Sequence, residues 1–353
     1  MFSAVARAVI VLVALAILAV LAWPEALGLQ NAWVVAHAVS FRGLAVVVAV
    51  ALLAVLAIVL LLARPVRGTT AALMGLLVLF AGVNIGVLLH RGVDAGSAAD
   101  ADAASAGSAS AVTVLSWNTL GDAPGAQEIA DLAVAEGADV VTLPETTEET
   151  GVLIAEAMRA AGRPMWVHTV AFDLISKARS TTLLVSPDLG DYTVTSTDGS
   201  GPPGNTNVLP TVVATPVDGD GPTIIAVHAV APIQWEMSNW RSDLDWLSKQ
   251  CSGRNVIMAG DFNATLDHFA GRAAAPGAVL GNCRDAAALA GSGGLGTWPT
   301  WAPGLLGSPI DHVLATPNWQ VDRMRVIGSE DAAGSDHRPI VATLSPATSP
   351  AAE

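Results

Sequence analysis

Val256-Ile257-Met258-Ala259-Gly260-Asp261-Phe262-Asn263-Ala264-Thr265 starts as an uncharged apolar run and ends in a carboxylate and an amide two positions apart. An apolar run this short, closed by a turn-forming segment, is the pattern of a strand buried on both faces. A carboxylate at its end is a side chain that a rigid sheet presents to an accessible loop. The same arrangement recurs through the second part of the chain. Asn118 follows Val114-Leu115-Ser116-Trp117, Glu145 follows Val140-Val141-Thr142-Leu143-Pro144, and His228 follows Ile224-Ile225-Ala226-Val227. Asp311 lies within Pro309-Ile310-Asp311-His312-Val313-Leu314, and Asp336-His337 precede Pro339-Ile340-Val341. Singly, each has a plain structural explanation. Asn118 could close a turn, Glu145 cap a helix and His228 sit hydrogen-bonded in the core, while the Asp261 and Asp336 segments could be a turn and a surface loop. Six such placements exceed what scattered polarity supplies, so a set of converging strand ends is expected.

Working outward, strands are predicted at residues 111–117, 138–144, 165–171, 180–186, 208–216, 223–228, 255–260, 310–315 and 339–344. Helices are predicted at residues 127–136, 151–161 and 236–249. Many strands with helices between them imply an α/β domain of two face-to-face sheets flanked by helices.

The first part of the chain differs in kind. Residues 4–23, 43–63 and 71–90 are three nearly uncharged stretches of Leu, Val and Ala, each about the length that spans a bilayer. The first alone could be a cleaved leader, but two more follow closely, and three transmembrane helices are expected. Arg7, Arg64 and Arg67 would be cytoplasmic, which puts the segment after the third span on the extracytoplasmic side. A flexible linker rich in Ala, Ser, Gly and Asp is expected at 91–111 and a disordered tail at 345–353. The chain thus divides into an anchor at 1–90, the linker, a domain at 112–344 and the tail.

Only Arg7, Arg42, Arg64, Arg67 and Arg91 are basic before residue 92, and only Glu25 is acidic, so the remainder carries about −18. Such a domain lacks the broad basic surface by which proteins hold nucleic acid. Cys251 and Cys283, both in the acidic part, could form a disulfide or remain two buried thiols. No Cys or His spacing fits a zinc site, so metal chemistry would use oxygen ligands.

In order, Leu115-Ser116-Trp117-Asn118, Leu143-Pro144-Glu145, His228 with Pro232, Gly260-Asp261-Phe262-Asn263-Ala264-Thr265, Ile310-Asp311-His312-Val313 and Ser335-Asp336-His337-Arg338-Pro339 form a specific set. Over residues 111–344 the chain resembles the endonuclease/exonuclease/phosphatase superfamily. The resemblance implies the DNase I-like four-layer sandwich, with mostly antiparallel sheets, and hydrolysis of phosphate esters with Mg2+ or Mn2+. It makes Glu145 the principal metal ligand, with Asn118 completing metal or phosphate contacts and Asp336 near the metal. Asp261 would orient or deprotonate the attacking water, and Asn263 and His228 would donate to phosphoryl oxygens. His337 would contact the scissile phosphate, held by Asp311. One or two ions fit this scheme. Abasic-site endonucleases carry Asp two positions after the first Asn; Leu120 stands there, which weakens a DNA-repair reading. Arg338 and Trp298 are lesser candidates, with Trp298 and Trp301 either walling the pocket or packing a Pro-rich loop. Asp267-His268 either support the Asp261 loop or cap a helix, and His168 is structural.

The three-span tether resembles actinobacterial family members associated with resistance to teicoplanin and related glycopeptides. That likeness implies a multi-pass membrane protein acting on a lipid or lipid-linked phosphate of the envelope. An extracellular DNA or RNA nuclease and a catalytically silent membrane binding module are the alternatives. Nothing in the sequence sets an oligomeric state.

Overall fold

The computed structural model describes residues 4–95, 111–173, 175–195, 200–219 and 221–347. It begins with α1 (Ala4–Ala22), a short α2 (Trp33–Ser40), α3 (Arg42–Leu62) and α4 (Arg67–Arg91). Helices α1, α3 and α4 are long and apolar enough to cross a membrane. They present Leu, Val and Ile outward over most of their surface, as expected where lipid is the solvent.

Two six-stranded sheets follow. The first contains β1 (Val112–Ser116), β2 (Val140–Pro144), β3 (Trp166–Ala171), β4 (Ser180–Val185), β11 (Trp319–Val326) and β12 (Ile340–Pro346), in the order β11-β12-β1-β2-β4-β3. The second contains β5 (Tyr192–Val194), β6 (Val212–Pro216), β7 (Thr223–His228), β8 (Val256–Asp261), β9 (Arg284–Asp285) and β10 (Asp311–Ala315), in the order β5-β6-β7-β8-β10-β9. Only β1–β2 and β7–β8 pair in parallel; the other ladders among the described residues are antiparallel.

Alternation along each central strand explains the layers. Val114, Val140, Ile224, Ile257 and Val313 point into the space between the sheets. Their neighbours Leu115 and Val141 pack outward against α5 (Ala126–Ala135) and α6 (Glu148–Ala160). Ile225, Met258 and Leu314 pack outward against α7 (Met237–Gln250). Central strands with both faces buried need continuous apolar runs, which is what the sequence supplies. Each fully buried aliphatic side chain contributes about 1.5–3 kcal/mol.

The four parallel-paired strands end at one edge of the sandwich, and their antiparallel neighbours β10 and β12 begin there. Gly260 lets β8 run close against β7: a Cβ there would strike the Val227 carbonyl.

Five elements were not expected from sequence: α2, β5, β9, β11 and α8 (Ala286–Ala290). In β11 a bulge between Val321 and Arg323 breaks the two-residue alternation that announces a strand. Cys251 and Cys283 form a disulfide that ties the end of α7 to the chain entering β9. β12 runs to Pro346, into the stretch expected as tail. Residues 348–353 and linker residues 96–110 lie outside the described residues. The expected linker begins differently from its composition: Gly293 donates to the Arg91 carbonyl, Gly294 to the Gly92 carbonyl, and Asp94 to the Gly291 carbonyl.

The apolar helices are docked on the sandwich. Asp267 takes Arg42 at 2.6 Å and Arg91 at 2.8 Å, and Arg42 also donates to the Asn84 side chain at 2.7 Å. Burial alone would raise the Asp267 carboxyl, but Arg91 and Arg42 hold it well below the usual range. Gly43 sits so close to the Leu305 carbonyl that any Cβ would collide with it. His268 receives the Thr265 N–H on Nδ1 and donates from Nε2 to the Ala36 carbonyl of α2.

Burial lowers His268 from 6.5 to about 4, with the Arg91 and Arg272 charges adding and Asp267 opposing. The undocked ring takes a proton below pH 6.5. Its contribution to docking is therefore complete above that pH and lost as pH falls toward about 4. Protection of the α2 amides in the full chain, referred to the intrinsic exchange rate at each pH, is expected to fall as pH drops across this window. The fall should be absent in His268→Gln, and equal behaviour of the two proteins would refute the assignment.

Candidate active site

Register brings the sequence-predicted residues together. Asp261 at the end of β8 lies opposite Asp311 at the start of β10 and beside His228 at the end of β7. From the other sheet, Asn118 and Glu145 follow β1 and β2, and Asp336 and His337 precede β12. These seven and Asn263, the eight residues predicted from sequence, face one cleft.

Contacts across the two sheets fix the arrangement. His337 Nδ1 pairs with Asp311 Oδ2 at 2.9 Å, and its Nε2 lies 3.9 Å from both Asp261 and Asp336. Trp117 donates to the His337 carbonyl at 2.8 Å, and Ser335 Oγ accepts the His337 N–H at 3.0 Å. Asn118 donates from Nδ2 to Glu145 at 3.1 Å and to Asp261 at 3.0 Å. Its Oδ1 accepts the Leu120 N–H, so Asn118 turns N–H groups, rather than its oxygen, toward the carboxylates. Asn263 likewise holds Asp261, through its backbone N–H at 2.7 Å, and its amide donates to the Ala229 carbonyl at 2.9 Å. Glu145 and Asn263 adopt left-handed backbone conformations, φ 60° and 47°. Asn tolerates this region; for Glu it stores on the order of 1–3 kcal/mol of strain at a site that needs the side chain aimed.

The electrostatics follow from burial in an acidic cleft. Burial opposes a charge on His337, but Asp311 and then Asp261 push its value up to about 10, so the ring is an imidazolium. Burial lifts Asp261 to about 7, with His337 opposing and Asp311 adding. Burial, and next the His337 charge, drop His228 to about 3, which makes it neutral. Glu145 is raised by burial, against the Asn118 hydrogen bond and His337.

The donor set suits a hard cation. Buried oxygens of Asp311 and Asp336 have no hydrogen-bond partner, and Glu145 lies at the cleft, accepting from Asn118 at 3.1 Å and standing 3.8 Å from His228. One ligand atom each of Asp261, Asp311 and His337 lie within 4.8 Å of one another, a group that could hold a metal. A cation there would compete with the His337 proton, since both balance the same carboxylates.

Two residues, His312 and Phe41, gained roles that sequence reasoning missed, and Trp298, offered as a pocket wall and found lining the cavity beside His337, gained a second. His312 donates to Asp285 at 2.7 Å and to the Ala264 carbonyl at 2.9 Å, a buried pair that fixes the loop after Asp261. Trp298 donates to Asp336 Oδ2 at 2.8 Å, and the Phe41 ring packs 5.9 Å from the Trp298 ring. His312 stood inside a quoted motif without a role; Phe41 carried no signal at all. Arg338 is a clamp, donating to the Gly296, Thr300 and Ala302 carbonyls and to Asp331. Asp267 belongs to the helix interface, rather than capping a helix.

Two mixed sheets carrying this cluster at one end define the DNase I-like class of fold. The chain belongs to the endonuclease/exonuclease/phosphatase family, whose sequence profile matches residues 115–337. The family is commonly divalent-metal dependent. An endonuclease/exonuclease/phosphatase structure from Beutenbergia cavernae is 22% identical, with a TM-score of 0.52, covering 69% of this chain and 73% of that one. One from Bacteroides vulgatus is 14% identical, with a TM-score of 0.49, covering 67% and 99%. The mannosyl-6-phosphatase of Bacteroides thetaiotaomicron is 16% identical, with a TM-score of 0.47, covering 66% and 99%. No curated protein matches the sequence significantly.

Asp311→Asn removes the carboxylate that contributes most to charging His337. The ring, near 10 in the native chain, is expected to titrate lower, and activity to fall about 100- to 10,000-fold. Ring NMR shifts against pH check the first expectation independently of turnover; an unmoved titration would contradict it.

Proposed function

We propose that the chain is a membrane-anchored, metal-assisted hydrolase of phosphate esters that acts on a lipid-linked phosphate of the cell envelope, on the extracytoplasmic side. One observation carries this reading. The cavity in front of His337 and Asn263, about 290 Å3, is lined on its far side by His37, Ser40 and Phe41, from the junction of α2 and α3. A site partly walled by a membrane helix junction opens toward an amphiphile more readily than toward a soluble polymer. The disulfide suits an oxidising compartment, and Arg64 and Arg67 between α3 and α4 suit a cytoplasmic loop there. The three-span likeness to glycopeptide-resistance members agrees with an envelope substrate.

The residues divide the work as follows. A divalent cation held by Glu145, with Asp336 beside it, would neutralise charge on the phosphoryl oxygens and on the leaving alkoxide. His337, charged and fixed by Asp311, donates Nε2–H to a non-bridging oxygen. Asp261, raised toward neutrality of pH, accepts the proton of the attacking water. Asn118 spaces Glu145 and Asp261 through its two N–H groups. Neutral His228 offers a further donor to the phosphate. The Asn263 amide donates to both the Ala229 carbonyl and Asp261, so it gives an N–H to the phosphate only by releasing one of them.

A nuclease reading retains the same chemistry but must bring a polyanion to a domain of about −18. With Mg2+ or Mn2+, the full chain in phosphatidylcholine nanodiscs is expected to turn over prenyl pyrophosphates or another phosphate lipid in preference to DNA. EDTA or Glu145→Ala should lower the rate about a thousandfold or more. Preferred hydrolysis of naked DNA would sink the lipid reading, and activity indifferent to both treatments would sink the metal role. Trp298→Phe frees Asp336 from its indole donor. It is expected to lower metal affinity about 10- to 100-fold, read as the half-saturating Mg2+ concentration.

A further inference from the structure

Phe41 stands between two cavities. On one side it lines the cavity that reaches His337 and Asn263. On the other it heads a groove of about 360 Å3 whose walls are α1, α3 and α4. Leu18 and Leu21 of α1, Leu44 and Val48 of α3, and Leu77 and Phe80 of α4 supply the lining, which is almost wholly apolar. The first cavity ends in the polar side chains of His337 and Asn263; the second ends in hydrocarbon. An amphiphile with a phosphate head and an aliphatic chain matches the pair, and Phe41 marks its joint.

Phe41 is held in place from three directions. Its ring packs against Trp298 at 5.9 Å. Arg42, the next residue, is clamped by both oxygens of Asp267 at 2.6 and 2.9 Å. Gly43 lies against the Leu305 carbonyl with no room for a side chain. The junction between the cavities is therefore a fixed part of the fold.

The groove runs inward from this junction. Leu44, Val48 and Leu52 are four residues apart on α3, one above another on a single face, and each remains about half exposed at 43, 49 and 46%. From Phe41 to Leu52 the helix rises about 16 Å, roughly half the apolar thickness of a bilayer. Trp235 and Trp301, on the loops that carry Ile233 and Trp298, are 78 and 85% exposed, and exposed Trp is characteristic of the membrane interface.

We propose that the groove between α1, α3 and α4 receives the hydrocarbon chain of the substrate lipid, which bends at Phe41 so that its phosphate meets His337. The assignment rests on the lipid-phosphate reading above and extends it to the anchor itself. A chain already dissolved in lipid gains little by moving onto a Leu-lined wall. The groove consequently acts by orientation: it holds the chain in line with the site and so fixes where the ester bond lies.

Two experiments on the full chain in phosphatidylcholine nanodiscs with Mg2+ test this. The first uses hexadecyl phosphonate, which carries no ester to cut, with a diazirine at mid-chain. Photolabelling is expected at Leu44, Val48 or Leu52, reduced several-fold by excess unlabelled hexadecyl phosphonate. Label spread evenly over α3, with as much at Ile58 as at Val48 and no competition, overturns the groove. The second compares hexadecyl and ethyl esters of one phosphate. Val48→Trp, which fills the groove, should lower the ratio of their kcat/KM values on the order of tenfold, while Ile58→Trp, outside it, leaves the ratio unchanged. An unchanged ratio in Val48→Trp counts against the proposal. Hydrolysis of lipid phosphates with uncompeted labelling defeats the groove alone. Failure to hydrolyse any lipid phosphate defeats the substrate reading, and this assignment with it.

Discussion

Asp261 and Asp311 face each other across one antiparallel ladder, both buried, and two carboxylates so placed repel unless positive charge stands with them. His337 supplies that charge from the opposite sheet. Its ring enters from the segment before β12 and binds Asp311, while Asp261 lies within reach of the other nitrogen. Asn118 repeats the pattern on a smaller scale, reaching from the end of β1 to Asp261 in the second sheet. The apolar layer between the sheets brings their edges together; these polar contacts set the register in which they meet. A buried charge stripped of its partner costs about 3–5 kcal/mol, so the cleft is a place where folding and chemistry impose the same demand. In the function proposed, a cation joins this balance rather than creating it.

The second interface repeats the logic with the signs exchanged. Asp267 is a lone acid between Arg42 and Arg91, at the start of one candidate span and the end of another. A single carboxylate thereby fixes both helices to the loop that follows Asn263. The neighbouring His268 completes the contact through α2. Because the Asp261 loop continues directly into this junction, the placement of the helices and the shape of the cleft are linked through a few residues of chain.

Much of this was readable beforehand. The central strands announced themselves because they are buried on both faces, and the polar residues that close them could be picked out as a converging set. The three apolar helices were equally plain from length and composition. What escaped was what depends on partners distant in sequence. Strand β11 hides behind a bulge, and β9 has only two residues. Helix α2 is too short and too evenly apolar to differ from a loop beside membrane helices. Arg42 looked like an ordinary flanking charge, though its position at the head of an apolar helix might have prompted a search for an acid. Arg91 to Asp94 looked like linker by composition, and only the facing glycines at 291–294 explain why they are paired.

The pairing of Arg91, Gly92 and Asp94 with Gly293, Gly294 and Gly291, in the turn after α8 (Ala286–Ala290), has a mechanical consequence. A domain hung on a loose tether would sample every height above the bilayer. Stitched at this point, and again at Arg42, the cleft is held at one height and one tilt relative to the apolar helices. For the lipid substrate proposed, the molecule would then work as a depth gauge, with head-group reach a criterion of choice alongside head-group chemistry.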